Sequence, residues 1–206
     1  MTKAEMMQAL RAARVVPVVR TSTAAYAATA VGWLREAGLR IFELTMTIPD
    51  APALIRELSR DGDLLLGAGT VTDAATAEIC LAAGARFIVA PWTDPALAAP
   101  CREAGALLMH GALTPTEVRA ALGAGADVVK IFPASSVGGP GHIKALRSVF
   151  PGVDFCPTGG VEPGNVAAYL AAGAAFVGMG GALVDEARIA AGDRDAIQAA
   201  ARAILP

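Results

Sequence analysis

A (β/α)8 barrel with one extra helix at its N-terminus is the architecture this sequence predicts. Three observations carry the prediction. One junction recurs five times, in which a helical stretch ends in Ala-Gly and an apolar strand follows at once. Eight short apolar runs alternate with helical stretches along 206 residues. No polar linker or shift of composition divides the chain, so residues 1–206 read as one domain. A repeated βα unit of this kind builds a parallel sheet, and eight of them close into a barrel. The rival architecture is a doubly wound open sheet.

The recurring junction appears at Glu36-Ala-Gly38, Ala83-Gly84, Glu103-Ala-Gly105, Gly123-Ala-Gly125 and Ala172-Gly173. Glycine there ends a helix in the left-handed region and opens a short loop into the next strand. The strands read as 15–20, 40–46, 64–70, 86–91, 106–111, 127–133, 153–158 and 175–180. The extra helix covers about residues 3–13, and a last helix covers 194–204. Helix starts carry their own signals. Thr114-Pro-Thr-Glu117 reads as a capping box with proline at the first helical position. Thr93-Asp-Pro95 and Asp50-Ala-Pro52 read as caps of the same type.

Composition sets limits on function. Apolar residues make up 54% of the chain, enough for a sizeable core. The net charge is −2 with no basic block, so there is no electrostatic footprint for nucleic acid or for a membrane surface. No apolar run has the length and purity of a membrane span. Cys80, Cys101 and Cys156 are widely spaced and odd in number, which predicts reduced thiols in a cytoplasmic protein.

In a barrel the active site lies at the C-terminal ends of the strands, so those residues matter most. Strand six, Asp127-Val-Val-Lys-Ile-Phe-Pro133, carries Lys130 inside a β-branched run. Alternation puts Val128, Lys130 and Phe132 on one face. Only three of the seventeen basic residues are lysines, so a lysine on a buried strand looks chosen for chemistry. Burial disfavours the ammonium, and a neutral amine attacks ketones to form a Schiff base. The alternatives are a lysine with a buried stem and a wet head, a phosphate contact, or half of a structural ion pair. Glu43, on strand two with Ile41 and Thr45, is a candidate general acid/base, with a structural ion pair as the alternative. Arg20, ending strand one, suits a bidentate grip on a carboxylate, or is a solvated loop residue.

The other strand ends add polar backbone and small side chains. Strand three ends Gly67-Ala-Gly-Thr70, with a hydroxyl at Thr70. Strand seven ends Pro157-Thr158-Gly159-Gly160, and strand eight ends Gly178-Met-Gly180-Gly181. Glycine pairs after strands seven and eight stand where barrels bind phosphate through backbone N–H groups. His110, ending strand five, reads as a packed or substrate-lining residue, and His142 lies near a helix start. The two histidines form no metal motif.

These residues and motifs carry a resemblance. Val-Val-Pro-Val-Val-Arg20, Glu43-Leu-Thr-Met-Thr-Ile-Pro-Asp50, Gly67-Ala-Gly-Thr-Val71, Lys130-Ile-Phe-Pro133 and Pro157-Thr-Gly-Gly-Val161, in this order, resemble 2-keto-3-deoxy-6-phosphogluconate aldolase. The related 6-phosphogalactonate and 4-hydroxy-2-oxoglutarate aldolases belong to the same family. The resemblance covers nearly the whole chain. It implies a trimeric class I aldolase on a (β/α)8 barrel, without cofactor or metal, that releases pyruvate and glyceraldehyde 3-phosphate from a keto acid. It implies Lys130 as the Schiff-base lysine and Glu43 as the acid/base. It further implies Thr70 on the substrate carboxylate, Pro91 and Phe132 around pyruvate, and Gly159, Gly160 and Gly180 toward the phosphate, while Thr158 and Gly181 beside them are further candidate substrate contacts. Three positions depart from the family pattern. Thr47 stands where some members have arginine, which leaves the carboxylate grip to Arg20. Gly181 stands where many members have serine, and His110 where resembling sequences often have proline. The last two departures are expected to touch the distal half of the substrate.

Three other readings stay open beside the phosphorylated substrate. They are an aldolase for 6-phosphogalactonate-derived or unphosphorylated 2-keto-4-hydroxy acids, a non-aldolase barrel enzyme acting on phosphosugars, and a sugar-acid-binding protein.

Overall fold

A computed structural model describes residues 1–205. Its eight strands are β1 (Val15–Val19), β2 (Ile41–Thr45), β3 (Leu65–Gly69), β4 (Phe87–Val89), β5 (Leu107–Ala112), β6 (Val128–Ile131), β7 (Phe155–Pro157) and β8 (Val177–Met179). All seven ladders are parallel and join the strands in the order β7-β6-β5-β4-β3-β2-β1-β8. A parallel bridge between Thr158 and Gly178 brings β7 against β8, so the sheet closes on itself. This is the (β/α)8 barrel, not the open sheet.

The helices follow the strands on the outside. They are α1 (Lys3–Ala13), α2 (Ala24–Glu36), α3 (Ala51–Leu58), α4 (Ala74–Ala82), α5 (Ala98–Glu103), α6 (Pro115–Gly123), α7 (Pro140–Val149), α8 (Val166–Ala171), α9 (Glu186–Ala190) and α10 (Arg194–Arg202). Their ends obey the local chemistry. Gly38, Gly84, Gly105, Gly125 and Gly173, the five junction glycines, all have positive φ, where a side chain would be strained. Thr114 and Glu117 form the reciprocal capping box at the start of α6. Asp94 accepts from the Ala96 amide at 2.9 Å. Asp50 is different. It holds φ 55° in the left-handed region instead of the extended conformation of a usual cap, and its side chain makes no cap bond.

Side-chain alternation sorts the strands into two cores. One face packs outward against the helices, and its residues include Phe42, Leu44, Leu66, Ile88, Leu108, Val129 and Phe155. The other face fills the barrel with Val16, Ile41, Leu65, Phe87, Val89, Leu107, Met109, Val128, Cys156 and Phe176. Met6 and Leu10 of α1 join this inner cluster. The extra helix therefore stoppers one end of the barrel with apolar side chains. The other end, where the strands finish, stays open.

Seven of the strands stop a little short of the ends read from the sequence, and β5 runs one residue further, to Ala112. Arg20, Met46, Thr70, Pro91, Thr158 and Gly180 all lie beyond the last ladder residue of their strand. Near the rim Arg20, Thr70, Pro91, Thr158 and Gly180 face the opening, whereas Met46 packs with the outer core.

Candidate active site

The open end holds a cavity of about 680 Å³. Its wall includes Val18, Arg20, Thr70, Pro91, Trp92, Lys130, Phe132, Thr158, Gly159, Gly160, Val161, Glu162, Gly180, Gly181 and Ala182. A smaller cavity of about 400 Å³ lies by α1 and Leu205, far from the strand ends. Its wall is largely apolar, and its charged members Arg40 and Asp63 are ion-paired to each other. The mouth cavity brings an amine, a guanidinium, hydroxyls and glycine backbone to one place.

Lys130 rises from the floor of the mouth. It is 6% exposed, and its Nζ lies 3.3 Å from Oε1 of Glu43, itself 5% exposed. A buried ammonium and a buried carboxylate each need such a partner. The ring of Phe132 stands beside the amine, with its centroid 5.5 Å from Nζ, within cation–π range. Space for this pair is made by glycine. A Cβ on Gly69 would overlap the Glu43 carboxylate, and one on Gly178 would crowd Thr158 Oγ1. Opposite Lys130 on β7 is Cys156. Burial pushes its thiol up to about 12, so it stays protonated beside the amine.

Arg20 is exposed yet anchored. Its Nη2 donates to Thr70 Oγ1 at 3.0 Å and its Nη1 to Thr47 Oγ1 at 3.3 Å. Thr47 is held in turn by Thr45 at 2.8 Å, and Thr45 donates to the Val19 carbonyl at 3.2 Å. A relay of hydroxyls thus fixes the guanidinium over the rim. Thr70 has φ 56°, an outlier for a β-branched residue. Strain of this type costs about 1–3 kcal/mol and collects at ligand sites. Here it aims the Thr70 hydroxyl at Arg20.

The remaining sequence-predicted residues Pro91, Thr158, Gly159, Gly160, Gly180 and Gly181 all line the same cavity. His110 does not. It shares the outward face of β5 with Leu108 and Ala112, which pack against the helices. It is fully buried, and neither ring nitrogen has a hydrogen-bond partner among the described residues. Burial holds its pKa below the ordinary value, because an imidazolium there would be desolvated. His110 is therefore a packed histidine. The expectation that its departure touches the distal half of the substrate is corrected, because alternation turns it away from the barrel interior. Trp92, Val161, Glu162 and Ala182 line the cavity and escaped the sequence reading. Each sits one to four residues past a strand end that the sequence did identify, which was the available signal.

The match to known proteins covers nearly the whole chain. The family model described as KDPG and KHG aldolase matches residues 6–200. The chain belongs to this aldolase family. It is thus a carbon–carbon lyase of the aldolase type. The 2-dehydro-3-deoxy-phosphogluconate aldolase of Treponema pallidum is 35% identical over 201 residues, covering 97% of this chain and 96% of the relative. The KHG/KDPG aldolase of Escherichia coli is 32% identical, covering 91% of this chain and 89% of the relative. Among solved structures, the KDPG aldolase of Legionella pneumophila superposes with a TM-score of 0.88 at 32% identity. That match covers 97% of this chain and 98% of the other, and the Legionella enzyme holds pyruvate captured as a covalent carbinolamine. A 3-hexulose-6-phosphate synthase, 18% identical with a TM-score of 0.71, shares the barrel fold.

Among the described residues, no helix is long and apolar enough to cross a membrane. No group of three or more His, Cys, Asp or Glu residues among them is placed to hold a metal ion.

Proposed function

We propose that this aldolase is a class I enzyme in which Lys130 forms a Schiff base with a 2-keto-3-deoxy-6-phospho sugar acid of the KDPG type. The observation that carries the reading is the buried Lys130–Glu43 pair, in which Lys130 lines the mouth cavity and Glu43 stands beside its amine without lining the cavity itself. The Lys130 amine adds to the C2 ketone, and the carbinolamine loses water to an iminium. Glu43, directly or through one water, takes the proton of the C4 hydroxyl. The C3–C4 bond breaks, and its electron pair flows into the iminium to give an enamine. Glyceraldehyde 3-phosphate leaves as the aldehyde. The enamine gains a proton at C3, and water releases pyruvate from Lys130. The iminium is the electron sink, so the reaction calls for no cofactor.

Arg20 and Thr70 take the substrate carboxylate, with the guanidinium offering a two-pronged donor. Pro91 and Phe132 enclose the pyruvate half. The backbone of Thr158, Gly159, Gly160, Gly180 and Gly181 receives the distal end. The carbinolamine in the Legionella relative supports covalent capture of a keto acid in this family. The whole chain acts as one barrel domain. It serves in a cytoplasmic, Entner–Doudoroff type breakdown of sugar acids, and it works as a homotrimer. Three buried free thiols support the compartment. A designed cage built by fusing symmetric oligomeric domains, 29% identical over 93% of this chain, supports an oligomer. Light scattering should give three times the chain mass.

The test of the reaction is trapping. Pyruvate with borohydride should leave one reduced adduct on the peptide that contains Lys130, read by mass spectrometry. No adduct, or one on Lys3 or Lys144, rejects the Schiff base.

A further inference from the structure

The charges around the mouth cavity are unevenly placed. Its cationic side chains are Arg20 and Lys130, at the ends of β1 and β6. Both are committed to the keto-acid half, one through Thr47 and Thr70 and the other through Glu43. The distal wall is backbone and small residues, with one charged group, Glu162. Glu162 lies two residues past Gly160, in the loop after β7. Its amide donates to Asn165 Oδ1 at 3.0 Å, and its carbonyl accepts from the Asn165 amide at 3.0 Å. The Glu162 side chain is exposed and reaches over the Asn165 amide in a capping box, while Asn165 Nδ2 donates to the Gly160 carbonyl at 3.0 Å and ties this turn to the glycine wall. Gly181 offers no side chain in compensation, although a Cβ there would meet nothing within 4 Å.

A carboxylate beside an anion subsite acts in two ways. It repels a phosphate dianion, and it accepts hydrogen bonds from hydroxyl groups. Specificity arises from such a repulsive element as much as from attraction. We infer that Glu162 is a specificity-determining residue of the distal subsite, one that lowers the preference for a phosphorylated tail and admits neutral, hydroxyl-bearing 2-keto-3-deoxy acids. The inference rests on the aldol reading above and concerns only the tail of the substrate.

The experiment compares kcat/KM for the 6-phosphorylated keto acid and its dephosphorylated form, in the wild type and in Glu162→Gln, at low and high ionic strength. The wild type should prefer the phosphorylated form by less than about tenfold. Glu162→Gln should raise kcat/KM for the phosphorylated substrate by about fivefold, the worth of one partly screened charge contact. The dephosphorylated form should gain nothing, and high salt should shrink the difference, because the effect is coulombic. Glu162→Ser should move the ratio in the same direction. An unchanged ratio in both variants, or an equal loss for both substrates, overturns the inference. Borohydride trapping of pyruvate on Lys130 keeps the two questions apart. A trapped adduct with an unchanged ratio rejects the role of Glu162 alone, whereas no adduct in the wild type rejects the reaction.

Discussion

Removing the Lys130 amine should destabilise the fold through the carboxylate it leaves behind. The side chains of Lys130 and Glu43 are 8% and 6% exposed, and the charged atoms stand 3.3 Å apart. At an effective dielectric of about 20, that separation gives a gross attraction of about 5 kcal/mol. Desolvation of the two ions offsets much of it, so the intact pair adds little net stability. Breaking it is different, because one charge stays buried without a partner. Lys130→Met keeps the length of the stem and removes the charge, and it should cost about 3 kcal/mol or more. For a chain of this size that lowers Tm by about 6–12 °C. Glu43→Gln should cost a similar amount by stranding the ammonium. The double variant strands neither, so its loss should fall short of the summed single losses by about 2 kcal/mol. Urea unfolding of the four proteins at neutral pH measures the cycle. Single losses that add to within about 0.5 kcal/mol would refute the reasoning, because they would mean the two charges do not depend on each other.

Other outcomes follow from single positions. Glu43→Gln should lower turnover by about 100-fold or more, the worth of a positioned acid/base, while pyruvate trapping on Lys130 persists. Near-normal turnover would leave Glu43 as a structural partner only. Gly69→Ala places a Cβ on the Glu43 carboxylate, so it should cut kcat sharply while the protein remains folded by circular dichroism. Unchanged kinetics would show that Glu43 is free to move. The pKa of His110 is depressed in the folded state, so the unfolded chain binds the extra proton first. Stability should be full above about pH 6.5 and fall as pH drops below it, and His110→Leu should flatten that slope in urea titrations. Cys80 and Cys101 are pushed up to about 11 and Cys156 to about 12 by burial, so all three thiols should resist iodoacetamide at pH 8 until the protein is unfolded.

The sequence alone determined the barrel and the location of its working end. The five Ala-Gly junctions fixed the repeating unit, since glycine at a helix C-terminus is a local backbone requirement. Strand alternation placed Lys130 on one face with Val128, because a period of two is also local, and the closed barrel made that face the inner one. The strand-end rule then gathered Arg20, Thr70 and the four glycines at one cavity without knowledge of any contact, and the family resemblance added Pro91 and Phe132. Family motifs supplied their expected roles. Where the sequence fell short, the deciding contacts join residues far apart in the chain. Asp50 has the composition of a cap, but its backbone conformation denies it the bond. His110 ends a strand like the site residues, yet the parity of β5 turns it against the helices. The Lys130–Glu43 pair spans 87 positions, and the anchoring of Arg20 on Thr70 spans 50. Glu162 entered the wall of the mouth only because the loop after β7 folds back beside Gly160. Periodicity and capping are read within a few residues, whereas ion pairs, cavity walls and the charge of a subsite depend on the closure of the sheet that brings β1, β2, β6 and β7 together.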